Sequence, residues 1–197
     1  IWDTSNFTVI KTIETGDKRA LLRYLPDGSA LIAGGKEKLS VYESSTWSET
    51  KSIEMPSSVT SMAYSLFLET LFVGTQSGEL RGYKIEGMEM VDTLQDRDQS
   101  INAIAAFDDK AAIVLGYSDG HMTTVNSTEN RIIKSIKVFS QTVESILVNS
   151  KHGGIIASGR SADSDVKLLE NDLTEQSKFK WSSQRMNDES LKGLSWA

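Results

Sequence analysis

The apolar runs of this chain end on a glycine at a nearly constant interval: LIAGG at Gly34, LFVGT at Gly74, IVLGY at Gly116 and IIASG at Gly159, spaced 40, 42 and 43 residues apart. An apolar or aromatic residue in the following segment keeps the same beat, at Trp2, Tyr42, Tyr83, Val125 and Leu169, with gaps of 40, 41, 42 and 44. Two markers sharing one period define a repeated supersecondary unit, and this constrains the fold more than any single motif does. Repeated units present surfaces; they seldom assemble one catalytic pocket.

Within a period the pattern is β. In the second unit VTSMAYS alternates, TLFVGT is continuously apolar, ELRGYKI alternates again and EMVDTLQ is the most polar. A continuous apolar run means burial on both faces, and a polar strand suits an edge. LPDGSA, QSGEL, YSDGH and HGG put residues tolerant of positive φ where the chain must reverse, and the two prolines, Pro26 and Pro56, fall at turns. One four-stranded sheet cannot cover both of its faces. Sheets stacked around an axis cover each other, as the blades of a propeller do. The markers place blades at 18–57, 58–99, 100–141 and 142–182, with the end of a preceding blade at 1–17 and the start of a following one, or a tail, at 183–197.

The IWD of Ile1–Asp3, the 40 to 44 residue period, YLPDGSALIAGG and the recurrent order of apolar run, glycine, turn and strand together resemble the WD40 family of β-propellers. The fold class expected is all-β: a WD40-type β-propeller segment of four complete four-stranded blades plus partial blades at both ends. In that family a Trp, a Ser or Thr, an Asp in a turn and a His form a hydrogen-bonded network within each blade. Here Trp2 alone keeps the Trp-Asp pair. Asp119 occupies the right kind of turn, no Gly-His precedes any blade, and Val125 and Leu169 replace the aromatic residue. The expectation is a divergent member held by packing more than by that network. Seven blades of this length would need roughly 290 residues, so the chain reads as a segment of a larger propeller. The opening IWDTS and the closing LKGLSWA read as cut ends. The stretch from Leu71 to Leu173 looks like the closing blades of the WD-repeat-containing protein 55 group of ribosome-assembly factors.

Chemistry is sparse. A nucleophile–base–orienter set needs a base, and the two histidines, His121 and His152, fall in turns at opposite ends of their blades, where they read as solvated. Asp163, Asp165 and Glu170 lack a calcium-loop pattern, and AGGKEKLS lacks the spacing of a phosphate-binding loop. Asp108 and Asp109 read as solvated turn residues, and Trp2, Trp47, Trp181 and Trp196 are too scattered to stack a cofactor. An enzyme on a propeller, quinoprotein-like or lactonase-like, would need polar groups at the first-strand starts, which instead read ALLRY, VTSMA, INAIA and VESIL. The expectation is no enzyme and no cofactor.

What remains is surface. The first-to-second-strand turns read PDGS, LFLET, FDDKA and SKHGG, and only the second carries apolar residues at its tip. Phe67 and Leu68 are therefore candidate partner contacts, with Trp47 and Met88, in third-to-fourth-strand loops, enlarging the same rim. Lys36, Lys38, Arg97, Asp119, His121 and Arg160 lie on the opposite rim, where the resemblance implies a second docking face. A net charge of −6 argues against a phosphate-neutralising grip on nucleic acid. No apolar run approaches the ~18 residues of a membrane helix, and the absence of cysteine suits a reducing compartment. The expected role is a non-catalytic scaffold for other proteins in a multi-subunit complex, intracellular, whether cytoplasmic or nuclear and nucleolar.

Overall fold

The computed structural model describes residues 1–15, 20–151, 153–161 and 164–179. Its strands form four antiparallel four-stranded sheets, each made of strands consecutive in sequence and neighbouring in space. The first holds β1 (Leu21–Tyr24), β2 (Ala30–Gly34), β3 (Lys38–Glu43) and β4 (Glu49–Glu54). The second holds β5 (Val59–Ser65), β6 (Thr70–Thr75), β7 (Glu79–Lys84) and β8 (Met90–Gln95), with a 3-10 turn at Glu86–Met88. The third holds β9 (Ile101–Ala106), β10 (Ala112–Tyr117), β11 (His121–Asn126) and β12 (Arg131–Lys137). The fourth holds β13 (Val143–Val148), β14 (Ile155–Gly159), β15 (Val166–Leu169) and β16 (Glu175–Phe179).

The burial gradient follows the sequence pattern. Every residue of β2, β6 and β10 is buried, whereas β4 and β8 are largely exposed and β12 holds only exposed and half-buried residues. Residues on both faces of a second strand are therefore in contact with protein, which is why Phe72, Val73, Ile113, Val114 and Leu115 are all apolar. First-strand starts Ile101 and Val143 are fully buried as well, so these positions pack and expose no polar group.

The chain divides into two compact units, Ile1–Val59 and Thr60–Ala197. In the first, the N-terminal segment forms a small antiparallel loop bridged at Trp2 and Val9, with the Ile10 amide donating to the Ile1 carbonyl at 2.9 Å. Ile1 and Ile13 pack on Leu31, Ala33 and Tyr42 of the first sheet, while Trp2 itself is exposed.

In the second unit the marker glycines acquire a physical reason. A Cβ on Gly74 would lie 2.7 Å from Ile101 Cγ2, and one on Gly116 would lie 2.6 Å from Val143 Cγ1. Each glycine thus sits where the first strand of the next sheet begins, and any larger residue would push the two sheets apart. The second marker also has a structural reason. Register shifts by one at Gly82/Tyr83, at Thr124/Val125 and at Leu168/Leu169, and the same shift occurs at Val41/Tyr42 in the first sheet. These bulges come at the end of the third strand, and Tyr83, Val125 and Leu169 are almost completely buried there. The period in the sequence is the period of sheet-to-sheet packing.

Trp181, Trp196, His152, Asp163 and residues 183–197 lie outside the described residues.

Candidate interaction surfaces

The β5–β6 turn is the apolar exception that the sequence marks, and the structure divides its residues differently. Leu66 and Phe67 are the exposed pair, at 54% and 55%, whereas Leu68 turns inward onto the cluster formed by Ala63, Phe72 and Leu80. The reversal is held through Leu68. Its amide donates to Ser65 Oγ at 3.3 Å, and its carbonyl accepts from Thr70 Oγ1 at 2.9 Å and from Lys84 Nζ. Glu69 then takes the left-handed conformation, φ 49. The tip is therefore a fixed platform with two apolar side chains in water. Elsewhere the same turn is polar: Asp27 accepts from the Ser29 amide and hydroxyl, which holds its carboxyl below the usual range, and the Asp108 amide donates to Ser150 Oγ.

The loops expected to enlarge this rim do something else. Met88 is buried, so it offers no surface and leaves the candidate set. Trp47 is half-buried against Leu31, Ala33 and Tyr42 and meets Tyr24 edge-on, with ring centroids 6.4 Å apart. It lies in the first unit. The common cause is backbone geometry. Trp47, Met88, Asn130 and Leu173 all have φ between 46 and 66, one in each third-to-fourth-strand loop. At Met88 and Leu173 the left-handed residue is buried, which offsets a strain of about 1–2 kcal/mol, whereas the exposed Asn130 reaches across to donate to the Thr93 carbonyl of β8 at 3.0 Å. Sequence patterning alone does not reveal this, because nothing in the composition of these loops marks positive φ.

At the other ends of the strands the charged residues are mostly engaged with each other. Arg97, in the segment between β8 and β9, places its guanidinium 3.2 Å from Asp119 Oδ2 and 3.3 Å from Asp96 Oδ2, donates to Ser135 Oγ at 2.8 Å, and lies 5.0 Å above the buried ring of Tyr117. Asp119 accepts from the His121 amide at 3.1 Å and stands 2.8 Å from His121 Nδ1. Thr123 Oγ1 closes the circuit by donating to Asp96 Oδ2 at 2.8 Å. Partial burial alone would raise the Asp119 pKa, but the His121 amide and the neighbouring cations outweigh it and hold the carboxyl below its ordinary value. Burial drives the Tyr117 phenol upward. His121 is thus bound rather than solvated. The third sheet also has a polar network after all, with Arg97 donating from the segment before the first strand, where the family pattern would put its Gly-His. The sequence signal is Arg97 in combination with Asp119, a pairing that a Gly-His motif does not pick out.

Arg160 pairs with Glu144 at 3.3 Å, Lys38 pairs with Glu49 at 2.7 Å, and Lys36 is exposed. Asp165 is buried, and Glu170 accepts from Gln176 at 3.0 Å. Among the described residues no group of three or more His, Asp or Glu side chains is placed to hold a metal ion, and no helix is long and apolar enough to cross a membrane.

These sheets, their order and their bulged third strands define the fold as blades of a WD40-type β-propeller. No protein-family model matches the chain. Serine-threonine kinase receptor-associated protein of Gallus gallus is 23% identical over 132 residues, which is 65% of this chain and 38% of that protein. Among solved structures, U3-55K aligns with a TM-score of 0.69 at 16% identity, covering 82% of this chain and 54% of its own. The WD40 repeats of RRP9 align with a TM-score of 0.71 at 16% identity, covering 84% of this chain and 55% of theirs. The chain spans about half the length of the solved chains it matches, and less of the curated relative. At these identities the likeness establishes the fold.

Proposed function

We propose that this chain is a non-catalytic scaffold that holds partner proteins in a larger intracellular assembly, in the cytoplasm or the nucleus. The observation that carries this reading is the β5–β6 tip, where Leu66 and Phe67 stand in solvent on a turn held by hydrogen bonds to Ser65, Thr70 and Lys84. Exposed apolar side chains on a rigid support lose little conformational freedom on binding, and such side chains anchor interfaces. Leu68 belongs to the support of this anchor. The strand ends opposite this tip offer further docking surface within each unit taken by itself: in the first, Lys36 is exposed and Lys38 is paired with Glu49; in the second, Arg160 is paired with Glu144 while Arg97, Asp119 and His121 hold the loops in shape.

The test is affinity purification of the full-length protein carrying Phe67→Ser together with Leu66→Ser, compared with wild type. Loss of specific co-purifying proteins, with the far-ultraviolet spectrum and melting temperature unchanged, is the expected result. The same proteins at the same yield would overturn the assignment. A narrower reading, a nucleolar ribosome-assembly factor, is supported by the stretch from Leu71 to Leu173 and predicts co-sedimentation with ribosomal precursors. Its absence from those fractions would end the narrower reading and leave the scaffold standing.

A further inference from the structure

Beside the Leu66–Phe67 tip the second sheet carries a concavity of about 700 Å³, walled by Tyr64, Ile85 and the stem of Lys84 and rimmed by Glu69, Glu86 and Glu89. The turn of β5–β6 and the 3-10 turn before β8 close around it. All three glutamates are exposed, and none forms an ion pair among the described residues. The single base in the lining, Lys84, is committed: its ammonium donates to the Leu68 carbonyl, at the foot of the apolar tip. Gly87, at φ +73, keeps the wall low, since a Cβ there would meet only Glu89 Cγ at 3.8 Å.

Resting on the reading of this rim as a docking surface, we infer that the groove receives a basic segment of a partner protein, with lysine or arginine side chains facing the glutamates and an adjacent apolar side chain against Phe67. Three unpaired carboxylates around one concavity concentrate negative potential where solvent is partly excluded. An acidic occupant would be repelled, and a second copy of this chain, itself at −6, brings the wrong sign. Exposed ion pairs are individually weak, so the apolar contact supplies the hold and the charges supply selectivity and encounter rate.

The probe is a fluorescein-labelled peptide of alternating lysine–leucine pairs separated by glycine, titrated by anisotropy against the full chain, with its glutamate-for-lysine counterpart as comparison. Wild type binds the lysine peptide and not the glutamate peptide, and added salt weakens the binding. Glu69→Gln, Glu86→Gln and Glu89→Gln combined lower affinity about tenfold, as expected from removing three screened pairs. Asp108→Asn with Asp109→Asn, on another sheet, leaves affinity unchanged. Equal binding by the triple-glutamine variant, or no binding by wild type, overturns the inference. If Phe67→Ser abolishes partner recovery while the lysine peptide fails to bind, the docking surface stands and its basic partner falls. If the peptide requires the glutamates but partner recovery ignores Phe67, the groove binds cationic chains and the docking reading falls.

Discussion

Gly120 lies in the β10–β11 turn with φ +88, and a Cβ built there would stand 2.1 Å from both the Gln141 and the Phe139 carbonyl oxygens. Its own carbonyl accepts from the amides of Val138 at 2.9 Å and Phe139 at 3.0 Å, so the turn is laced to the chain entering the fourth sheet. Gly120→Ala must strain a left-handed residue, at about 1 kcal/mol, and displace two backbone hydrogen bonds worth about 1 kcal/mol each. The sum is about 3 kcal/mol, and more if the buried amides stay unpaired. Gly87→Ala, in the same unit and at a similar φ of +73, has an open site and should cost only the first of these, about 1 kcal/mol. Urea unfolding followed by circular dichroism, fitted to the transition of the second unit, compares the two. Equal losses would refute the claim that the turn is pinned under the next sheet's entry segment.

Phe67→Ser should leave stability within about 0.5 kcal/mol, whereas Leu68→Ala, which removes a half-buried contact with the Phe72 cluster, should cost about 1–2 kcal/mol; chemical denaturation distinguishes them. Arg97→Met should cost about 1–2 kcal/mol, discounted because the side chain is about one-fifth exposed, and Arg97→Lys should recover little because a single ammonium cannot reach Asp96, Asp119 and Ser135 together. Asp119 has a folded pKa below its unfolded value, so it stabilises the fold above pH ~4 and that contribution disappears as pH falls through the folded value; Asp119→Asn should flatten the acid limb of a melting-temperature profile. Asp92 runs the opposite way. Burial raises its carboxyl pKa against the Thr93 amide, so its ionised form opposes folding at neutral pH; Asp92→Asn should raise the melting temperature at pH 7, with the gain fading as pH falls through the raised folded value and gone by pH ~4.

Much of the fold is legible in the sequence because its constraints are periodic. Gly74 and Gly116 are the places where the next first strand crosses, and Tyr83, Val125 and Leu169 are the bulged residues that fill the space between strands, so both patterns recur with the sheets. Met88 departs from the expected surface position for a different reason. Its burial follows from a left-handed backbone, which no residue type signals here, since Trp, Met, Asn and Leu all occupy that position. Arg97 looks like a surface residue in the sequence because its partners Asp96, Asp119 and Ser135 come together only in the fold. The tip was legible in outline: an apolar turn among polar ones was visible, but whether Phe67 or Leu68 faced water depended on the bond from the Leu68 amide to Ser65.

The residues that repeat are committed to stacking: a side chain added at Gly116 would strike Val143, and Val125 fills the interior of its unit. Such positions cannot change to suit a partner without loosening the sheets. Turn tips carry no such duty. The Asp27 turn closes with a side-chain cap, and the β5–β6 turn closes through Ser65 and Thr70, leaving residues 66 and 67 outside the packing. A residue that breaks the period at such a place is therefore free of the fold's demands, and if Phe67→Ser is silent in stability but not in partner recovery, its apolar character answers to something other than folding. By the same logic Arg97 also breaks the period, yet its guanidinium is bound to the chain's own carboxylates, so departure from the repeat marks a docking residue only where the structure leaves the side chain unspent.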